Sequence, residues 1–352
     1  MSLRLLVVLF LMLTTVKGYG QTKALEIFKA WDRNGDGVLV LSEVPENLRR
    51  LFPTNDRNND GKITIREHIV AMGRPAPAVR PQTRVDEFRI RQEWAQEPGG
   101  WARRVLVRKP VAIEKELPVV IFLHGNGGQA EIAIKQFNYM SDTIFICPQG
   151  YRRSWNVYGE ASEAPDVRFI EEIIEYLRTR ERNADMDNVT LIGSSNGSGM
   201  IHRLLIEVDR KPFHKAVCLV ASMIEKQYRD GSFWVSSQEG QNLYDKKKQP
   251  TRGVKVIYFH GTNDRVVPYY GGSRGDVPHV SAQETAFGFA KAFGYSGPRI
   301  ADTDGKAVKP GIFAYDYTEV EFTHYKLVGE GHGIGRYREF VDRAIREMVF
   351  DD

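Results

Sequence analysis

Three short motifs follow one another in a fixed order along this 352-residue chain. GSSNG spans Gly193–Gly197, HGTND carries Asp264, and GEGHG carries His332. Each follows an apolar run: NVTLIG before the serine, VKVIYFHG before the aspartate, EFTHYKLV before the histidine. Short continuous apolar runs closed by glycine read as buried strands. Behind the serine, GMIHRLLIEV has the spacing of a helix. A serine with glycine at −2 and +2, between a strand and a helix, demands a turn too tight for bulky side chains. A parallel sheet brings the C-terminal ends of such strands together, so the three side chains fall at one edge of the fold.

The rest of the chain from Val85 supports that sheet. RVDEFRIR and ARRVLVRKP read as leading strands around a turn at Pro98–Gly100. PVVIFLHG (118–125), DTIFICPQG (142–150) and AVCLVAS (216–222) are further strands. DVRFIEEIIEYLRTR (166–180) is amphipathic, with Phe169, Ile173 and Leu177 near one face. SAQETAFGFAKAF supplies another helix, EVEFTHYKLVGE a late strand, and GRYREFVDRAIREMV a closing helix. Strands separated by helices imply an α/β fold with a doubly wound, mostly parallel sheet.

The residue types suit attack on a carbonyl carbon. Ser195 is the candidate nucleophile, and a serine hydroxyl needs a neighbouring base. His332 is the candidate base, and Asp264 would hold its tautomer. A developing oxyanion needs two fixed N–H donors. The Asn196 amide is one candidate; Asn126 or Gly127, in the HGNGG turn, supplies the other. Ser194 and Ser198 compete for the nucleophile but lack the flanking glycine pair. Asp302, Asp304 and Asp316 compete for the acid but sit in a polar stretch without an apolar strand before it. His324 lies inside a strand-like run, and His124 and His260 read as structural. Tyr228, Phe233, Trp234 and Tyr244, in a polar insert over 223–250, together with Tyr269 and Tyr270, make a candidate aromatic rim.

Upstream, DRNGDGVLVLSE (32–43) and DRNNDGKITIRE (56–67) both fit a twelve-residue EF-hand loop. Asp32, Asn34, Asp36 and Glu43 supply side-chain oxygens in the first loop, and Val38 its carbonyl. Asp56, Asn58, Asp60, Glu67 and the Lys62 carbonyl do so in the second. Hard oxygen donors at this spacing suit Ca²⁺ in a structural role, with no cofactor expected for the catalytic chemistry. Leu39 and Ile63 occupy position 8 of each loop, where paired EF-hands join through a short β bridge. Leu25, Phe28 and Trp31 give the entering helix an apolar face. This small all-α EF-hand pair spans 21–72, GRPAPAVRPQTR (73–84) reads as a linker, and 85–352 as the catalytic domain.

Residues 5–16 form an apolar run after Arg4, followed by small residues up to Gly20, so 1–20 read as a secretory signal peptide. That implies a secreted or periplasmic protein with no membrane attachment once the leader is removed. The net charge of +4 and the lack of a long basic run leave nucleic acid an unexpected partner. Cys147 and Cys218 sit in apolar runs and read as buried free thiols.

Taken together, LHGNGG (123–128), PQGYRRSWN (148–156), DVRFIEEII (166–174), IGSSNGSGM (192–200), FHGTNDRVVPYYGG (259–272) and GEGHG (329–333) resemble the polyhydroxybutyrate depolymerase and feruloyl esterase group of secreted α/β-hydrolases. The resemblance runs from roughly Gly99 to Val349. It implies the α/β-hydrolase fold and hydrolysis of carboxylic esters through an acyl-enzyme, with Ser195, Asp264 and His332 as the triad. It also implies that Trp155 and Asn156 lie near the substrate cleft. The ester partner would be a feruloylated or acetylated polysaccharide, a hydroxyalkanoate polyester or a small ester. Two other readings remain open at this level: a calcium-dependent binding or adhesion protein with an inert hydrolase fold, and a serine peptidase or amidase.

Overall fold

The computed structural model describes residues 24–56, 60–72 and 81–350. The leader assigned to 1–20 and Asn58 of the second loop lie outside the described residues. The chain divides into two compact units, Met1–Arg80 and Pro81–Asp352.

In the small unit a helix over 24–31 leads into the first loop. Val38–Leu39 pairs antiparallel with Ile63–Thr64, and Leu39 stands opposite Ile63, the pairing expected from their shared loop position. The helix Ile65–Met72 follows directly. Phe28, Leu39, Val44, Phe52 and Ile63 form the core, with Trp31 packed against it. Phe28 and Trp31 are one helical turn apart, so they share a face. Leu25 is half-buried.

Ten strands of the large unit form one sheet: β1 Thr83–Trp94, β2 Glu97–Pro110, β3 Leu117–Leu123, β4 Ile144–Pro148, β5 Ala184–Ser194, β6 Lys215–Leu219, β7 Lys255–Gly261, β8 Lys306–Lys309, β9 Ile312–Tyr317 and β10 Phe322–Leu327. Their spatial order is β8-β9-β10-β7-β6-β5-β3-β4-β2-β1. The six strands from β10 to β4 are parallel. Antiparallel pairs close both sides. The long helices are α1 Asp166–Arg180, α2 Asn196–Glu207, α3 Ala282–Phe293 and α4 Arg338–Phe350.

Side chains alternate across a strand, and here both faces are buried. Val119, Ile121 and Leu123 of β3 join one core with Phe169 and Ile173 of α1, Leu204 of α2 and Phe289 of α3. Val120 and Phe122 join the other, with Val341 and Ile345 of α4. The sheet is therefore covered on both faces. Cys147 on β4 and Cys218 on β6 are buried and free, and burial pushes both thiols up. No helix among the described residues is long and apolar enough to cross a membrane.

Three features differ from the sequence expectation. The turn between β1 and β2 is Ala95–Gln96, because Trp94 pairs with Glu97. Pro98, Gly99 and Gly100 lie opposite a single residue, Glu93, as an irregularity inside the ladder, the place where strands accept proline and glycine. Strand β1 begins at Thr83, so Thr83 and Arg84 belong to the sheet rather than the linker. The polar stretch around 302–316 also contains strands: β8 and β9 add a hairpin to the edge, with Tyr317 and Phe322 paired across β9 and β10.

Candidate active site

Strand β5 ends at Ser194 and α2 starts at Asn196, which leaves Ser195 alone at the turn. Its backbone sits at φ 53°, ψ −119°, a region L-residues seldom occupy. Neighbouring hydrogen bonds hold it there. The Ser195 N–H donates to the Leu219 carbonyl of β6 at 2.9 Å, and the Gly199 N–H donates to the Ser195 carbonyl at 3.0 Å. The Ser198 hydroxyl donates to the Gly193 carbonyl at 2.7 Å and accepts the Leu219 N–H at 2.9 Å. Ser198 thus pins the turn to β6. A Cβ on Gly193 would lie 2.6 Å from the Gly197 carbonyl, and one on Gly197 would collide with the Leu123 carbonyl of β3. Only glycine fits at either position.

His332 Nε2 lies 2.8 Å from Ser195 Oγ, and its Nδ1 lies 2.8 Å from Asp264 Oδ2. A carboxylate only accepts, so the partners assign the proton to Nδ1 and leave Nε2 basic toward the serine. Asp264 Oδ1 accepts the Val266 and Val267 N–H groups at 2.7 and 2.9 Å. His260 Nε2 lies 3.2 Å from Asp264 Oδ2 and 3.0 Å from the Val267 carbonyl, two acceptors, so it too carries the proton. Burial opposes the Asp264 charge, but the bonds from His260, His332 and the Val267 amide outweigh it and hold the carboxyl well below its usual range.

Two loops from different strands must meet for this geometry, and the HGTND motif ties them. The Thr262 N–H donates to the Leu327 carbonyl at 3.0 Å and the Asn263 N–H to the Glu330 carbonyl at 2.9 Å. The Gly329 N–H donates to Thr262 Oγ1 at 2.8 Å. Asp264 and His332 are thereby set across from each other by their neighbours' backbone.

Ser195 opens into a cavity of about 370 Å³ lined by Asn126, Tyr158, Glu160, Asn196, Val267 and His279, among others. Asn196 is the first residue of α2, where an N–H has no carbonyl one turn earlier to bond, so its amide is open to an oxyanion. Asn126 lines the same cavity. Gly127 is different: its N–H donates to the Arg153 carbonyl at 2.8 Å and is not free for an oxyanion. Of the two candidates in that turn, Asn126 remains.

Trp155 and Asn156 are fully buried and do not line this cavity. The Trp155 indole N–H donates to the His124 carbonyl at 2.8 Å. The Asn156 amide donates to the Gly240 carbonyl at 2.6 Å, and its backbone N–H donates to Asp166 at 2.7 Å. Both present no surface to the cavity.

The residues just after them reach the cavity, and sequence reasoning missed them. Glu160 accepts the N–H groups of Val157, Tyr158 and Gly159 at 2.9, 2.6 and 3.2 Å through one oxygen. Its other oxygen accepts Asn196 Nδ2 at 2.5 Å. Asn196 Oδ1 in turn accepts the Trp155 N–H at 2.7 Å. The 154–160 loop is folded around Asn196, the residue that follows Ser195. Burial raises the Glu160 carboxyl, against the pull of the backbone amides around it. The one sequence signal was a lone acidic residue in NVYGE directly after SWN.

The competing residues take other places. His124 Nε2 accepts the Gly150 N–H at 3.1 Å, which ties it to the segment after β4. His324 is buried 3.0 Å from the Tyr269 hydroxyl, and Asp302 pairs with Lys326 at 2.6 Å. Phe233, Tyr244 and Tyr269 of the proposed rim are buried in packing. Tyr228 and Tyr270 line a second cavity of about 600 Å³ that shares His279 with the first.

In the small unit the loop carboxylates fold onto the loops' own amides. Asp32 accepts the Gly35 and Gly37 N–H groups at 2.9 and 3.0 Å, and Glu43 accepts the Val40 N–H at 3.0 Å. Asp56 accepts the Gly61 N–H at 2.9 Å, and Glu67 accepts the Thr64 N–H at 2.8 Å. Asn34 and Asp36 bond each other at 3.1 Å, and Asp60 accepts the Lys62 N–H at 2.9 Å. Among the described residues no three His, Cys, Asp or Glu side chains are gathered closely enough to hold a metal. The donors are all hard oxygens, and Gly37 and Gly61 make the sharp turn at φ 83° and 80°, so the set suits a hard cation in chemistry.

No protein-family model matches the chain, and no curated protein does. Solved structures are similar at low identity. Acetyl xylan esterase from Aspergillus awamori is 15% identical over 68% of this chain and 93% of its own, with a TM-score of 0.48. Thermogutta terrifontis esterase 2, phosphonylated by cyclosarin, is 16% identical over 78% and 98%, with a TM-score of 0.47. A putative dienelactone hydrolase from Klebsiella pneumoniae is 11% identical over 76% and 99%, with a TM-score of 0.45.

Proposed function

We propose that this chain is a serine hydrolase of carboxylic esters with an α/β-hydrolase fold, acting through an acyl-enzyme. The observation that carries the reading is the continuous Ser195–His332–Asp264 chain, 2.8 Å at each step, opening into a cavity. Ser195 Oγ bonds to the ester carbonyl carbon while its proton passes to His332 Nε2. The Asn196 and Asn126 amides receive the oxyanion, whose charge develops only in the transition state. Collapse breaks the bond to the alcohol oxygen, which takes the proton from His332. Water then repeats the sequence on the acyl group, releasing the acid and restoring Ser195. Every proton moves between groups of the protein, substrate and water. Asp264 stays ionised and stabilises the imidazolium.

The ester would be a feruloylated or acetylated polysaccharide or a hydroxyalkanoate polyester, met outside the cytoplasm once the 1–20 leader is removed. In the small unit, Asp32, Asn34, Asp36, Glu43 and the Val38 carbonyl, and their counterparts Asp56, Asn58, Asp60, Glu67 and Lys62, would hold Ca²⁺. The ion would neutralise the loop carboxylates and stabilise the folded unit by mass action.

A fluorophosphonate probe tests the reading on the purified protein. Labelling that disappears in Ser195→Ala, with hydrolysis of short-chain, feruloyl or hydroxyalkanoate esters, is the expected result. A folded protein that takes no label is an inert binding module, and the reading fails.

A further inference from the structure

We propose a subsite for an anionic group, a carboxylate or sulfate on a sugar unit of the substrate, in an arginine-lined cavity beside the oxyanion turn. The cavity is about 450 Å³ and is lined by Arg89, Arg103, Arg104, Arg152 and Arg153, the Trp101 and Tyr151 rings, and no acidic residue. Guanidinium forks match carboxylate and sulfate oxygens two at a time.

Not all five charges are free. Arg103 is buried against Asp166 at 2.5 Å. Arg89 and Arg104 share Glu87, at 2.9 and 2.6 Å, and Arg104 also meets Glu131. The Tyr151 hydroxyl donates to Glu97. Arg152 and Arg153 have no carboxylate within ion-pair distance among the described residues. Their guanidiniums meet the Ala161 carbonyl, at 3.3 Å, and the Gly127 carbonyl, and that of Arg152 lies 5.2 Å from the centre of the Tyr151 ring. Two cations are thus left without counter-charge in a concave site.

The backbone supports a built site. Arg152 and Arg153 are consecutive at φ 51° and 65°, a strain non-glycine residues keep only where the surroundings impose it. Trp101 is 48% exposed at the cavity, with its ring edge-on to Tyr151 at 5.8 Å. A flat exposed indole face suits the C–H face of a sugar ring. Arg153 bonds Gly127, and the next residue back, Asn126, lines the catalytic cavity. The two cavities therefore flank one short turn, and a chain of acidic sugars with an ester on one unit meets both.

The subsite's place in catalysis rests on the esterase reading, but its binding does not. Full-length Ser195→Ala protein is titrated by calorimetry with an oligogalacturonate, a sulfated oligogalactan and a neutral oligogalactan of equal length. Binding of at least one anionic oligomer is expected, weakening with salt. Arg152→Ala and Arg152→Glu, each in that background, should weaken it at least tenfold. The oligomer that binds separates carboxylate from sulfate. Equal binding of the neutral oligomer, no anionic binding, or unchanged affinity in both variants overturns the proposal. In a Ser195-containing background both variants should keep fluorophosphonate labelling at the parent rate. Loss of the subsite is then distinguishable from failure of the esterase reading.

Discussion

The Gly127 amide donates to the Arg153 carbonyl at 2.8 Å, and the Arg153 guanidinium donates back to the Gly127 carbonyl. This reciprocal clamp fixes the turn that presents Asn126 to the cavity. Arg153→Ala keeps the backbone bond and removes the return one. A hydrogen bond to a charged group contributes about 1.5–3 kcal/mol. In the proposed mechanism the clamp acts on the oxyanion donor, so a tenfold or larger fall in kcat on a neutral ester is expected, with KM little changed. Steady-state kinetics decides; a rise in KM alone would mean the turn does not depend on the clamp.

Asp264→Asn preserves shape but puts an amide where a carboxylate accepted the His332 proton. The favoured tautomer is lost, and kcat should fall by about 10⁴ with the fold intact by circular dichroism. Activity within tenfold of the parent would remove Asp264 from the relay.

Glu160 ties the 154–160 loop to Asn196 through four accepted bonds. Glu160→Gln must turn an NH₂ toward either the loop amides or the Asn196 NH₂. An unmatched buried donor costs about 1–3 kcal/mol, which should appear in thermal unfolding. A parallel fall in kcat should accompany it, because the Asn196 amide shares the disturbance. Unchanged stability and rate together would show the loop to be independent of this carboxylate.

His202 and His324 are fully buried, and burial pulls both down from 6.5 to about 3. The folded state keeps them neutral while the unfolded chain binds protons below about 6.5. Their contribution to stability is therefore complete above 6.5 and is lost as pH falls from there toward about 3. Melting temperatures measured across that window should drop for the parent and drop less for His324→Gln, which accepts the Tyr269 hydroxyl without titrating. Parallel curves would refute the assignment.

For the small unit, calcium at a hundred times its dissociation constant adds about 2.7 kcal/mol to folding. Calcium should raise its melting transition, and Glu43→Gln with Glu67→Gln should abolish the rise. Ester hydrolysis by the large unit should survive chelation. An immediate loss of hydrolysis without unfolding would place calcium in the chemistry.

What could be read in the sequence was what short range dictates. The parallel strands are continuous apolar runs, and Gly193 and Gly197 announce the turn because nothing larger fits beside the Gly197 carbonyl or the Leu123 carbonyl, respectively. The 3.6-residue pattern of α1 places Phe169, Ile173 and Leu177 in the core as expected. Two of the misses concern partners far away in sequence. Nothing near Gly127 shows that its amide is taken by Arg153, and nothing in SWN shows that Trp155 and Asn156 face inward. Glu160 gave only the signal of a single acidic residue because its partners are mainly backbone amides, which every sequence has. The β8–β9 hairpin was obscured by Lys306 and Lys309, charged because that strand is an exposed edge.

Ser195 owes its backbone conformation to β6 through the Leu219 carbonyl and to β3 through the close approach at Leu123. The Ser195 conformation is accordingly a property of three paired strands, not of the GSSNG segment. Pairing of β3, β5 and β6 sets the Ser195 backbone, and pairing of β7 with β10 brings Asp264 and His332 to it, so the Ser195–His332–Asp264 contacts report on the assembled sheet.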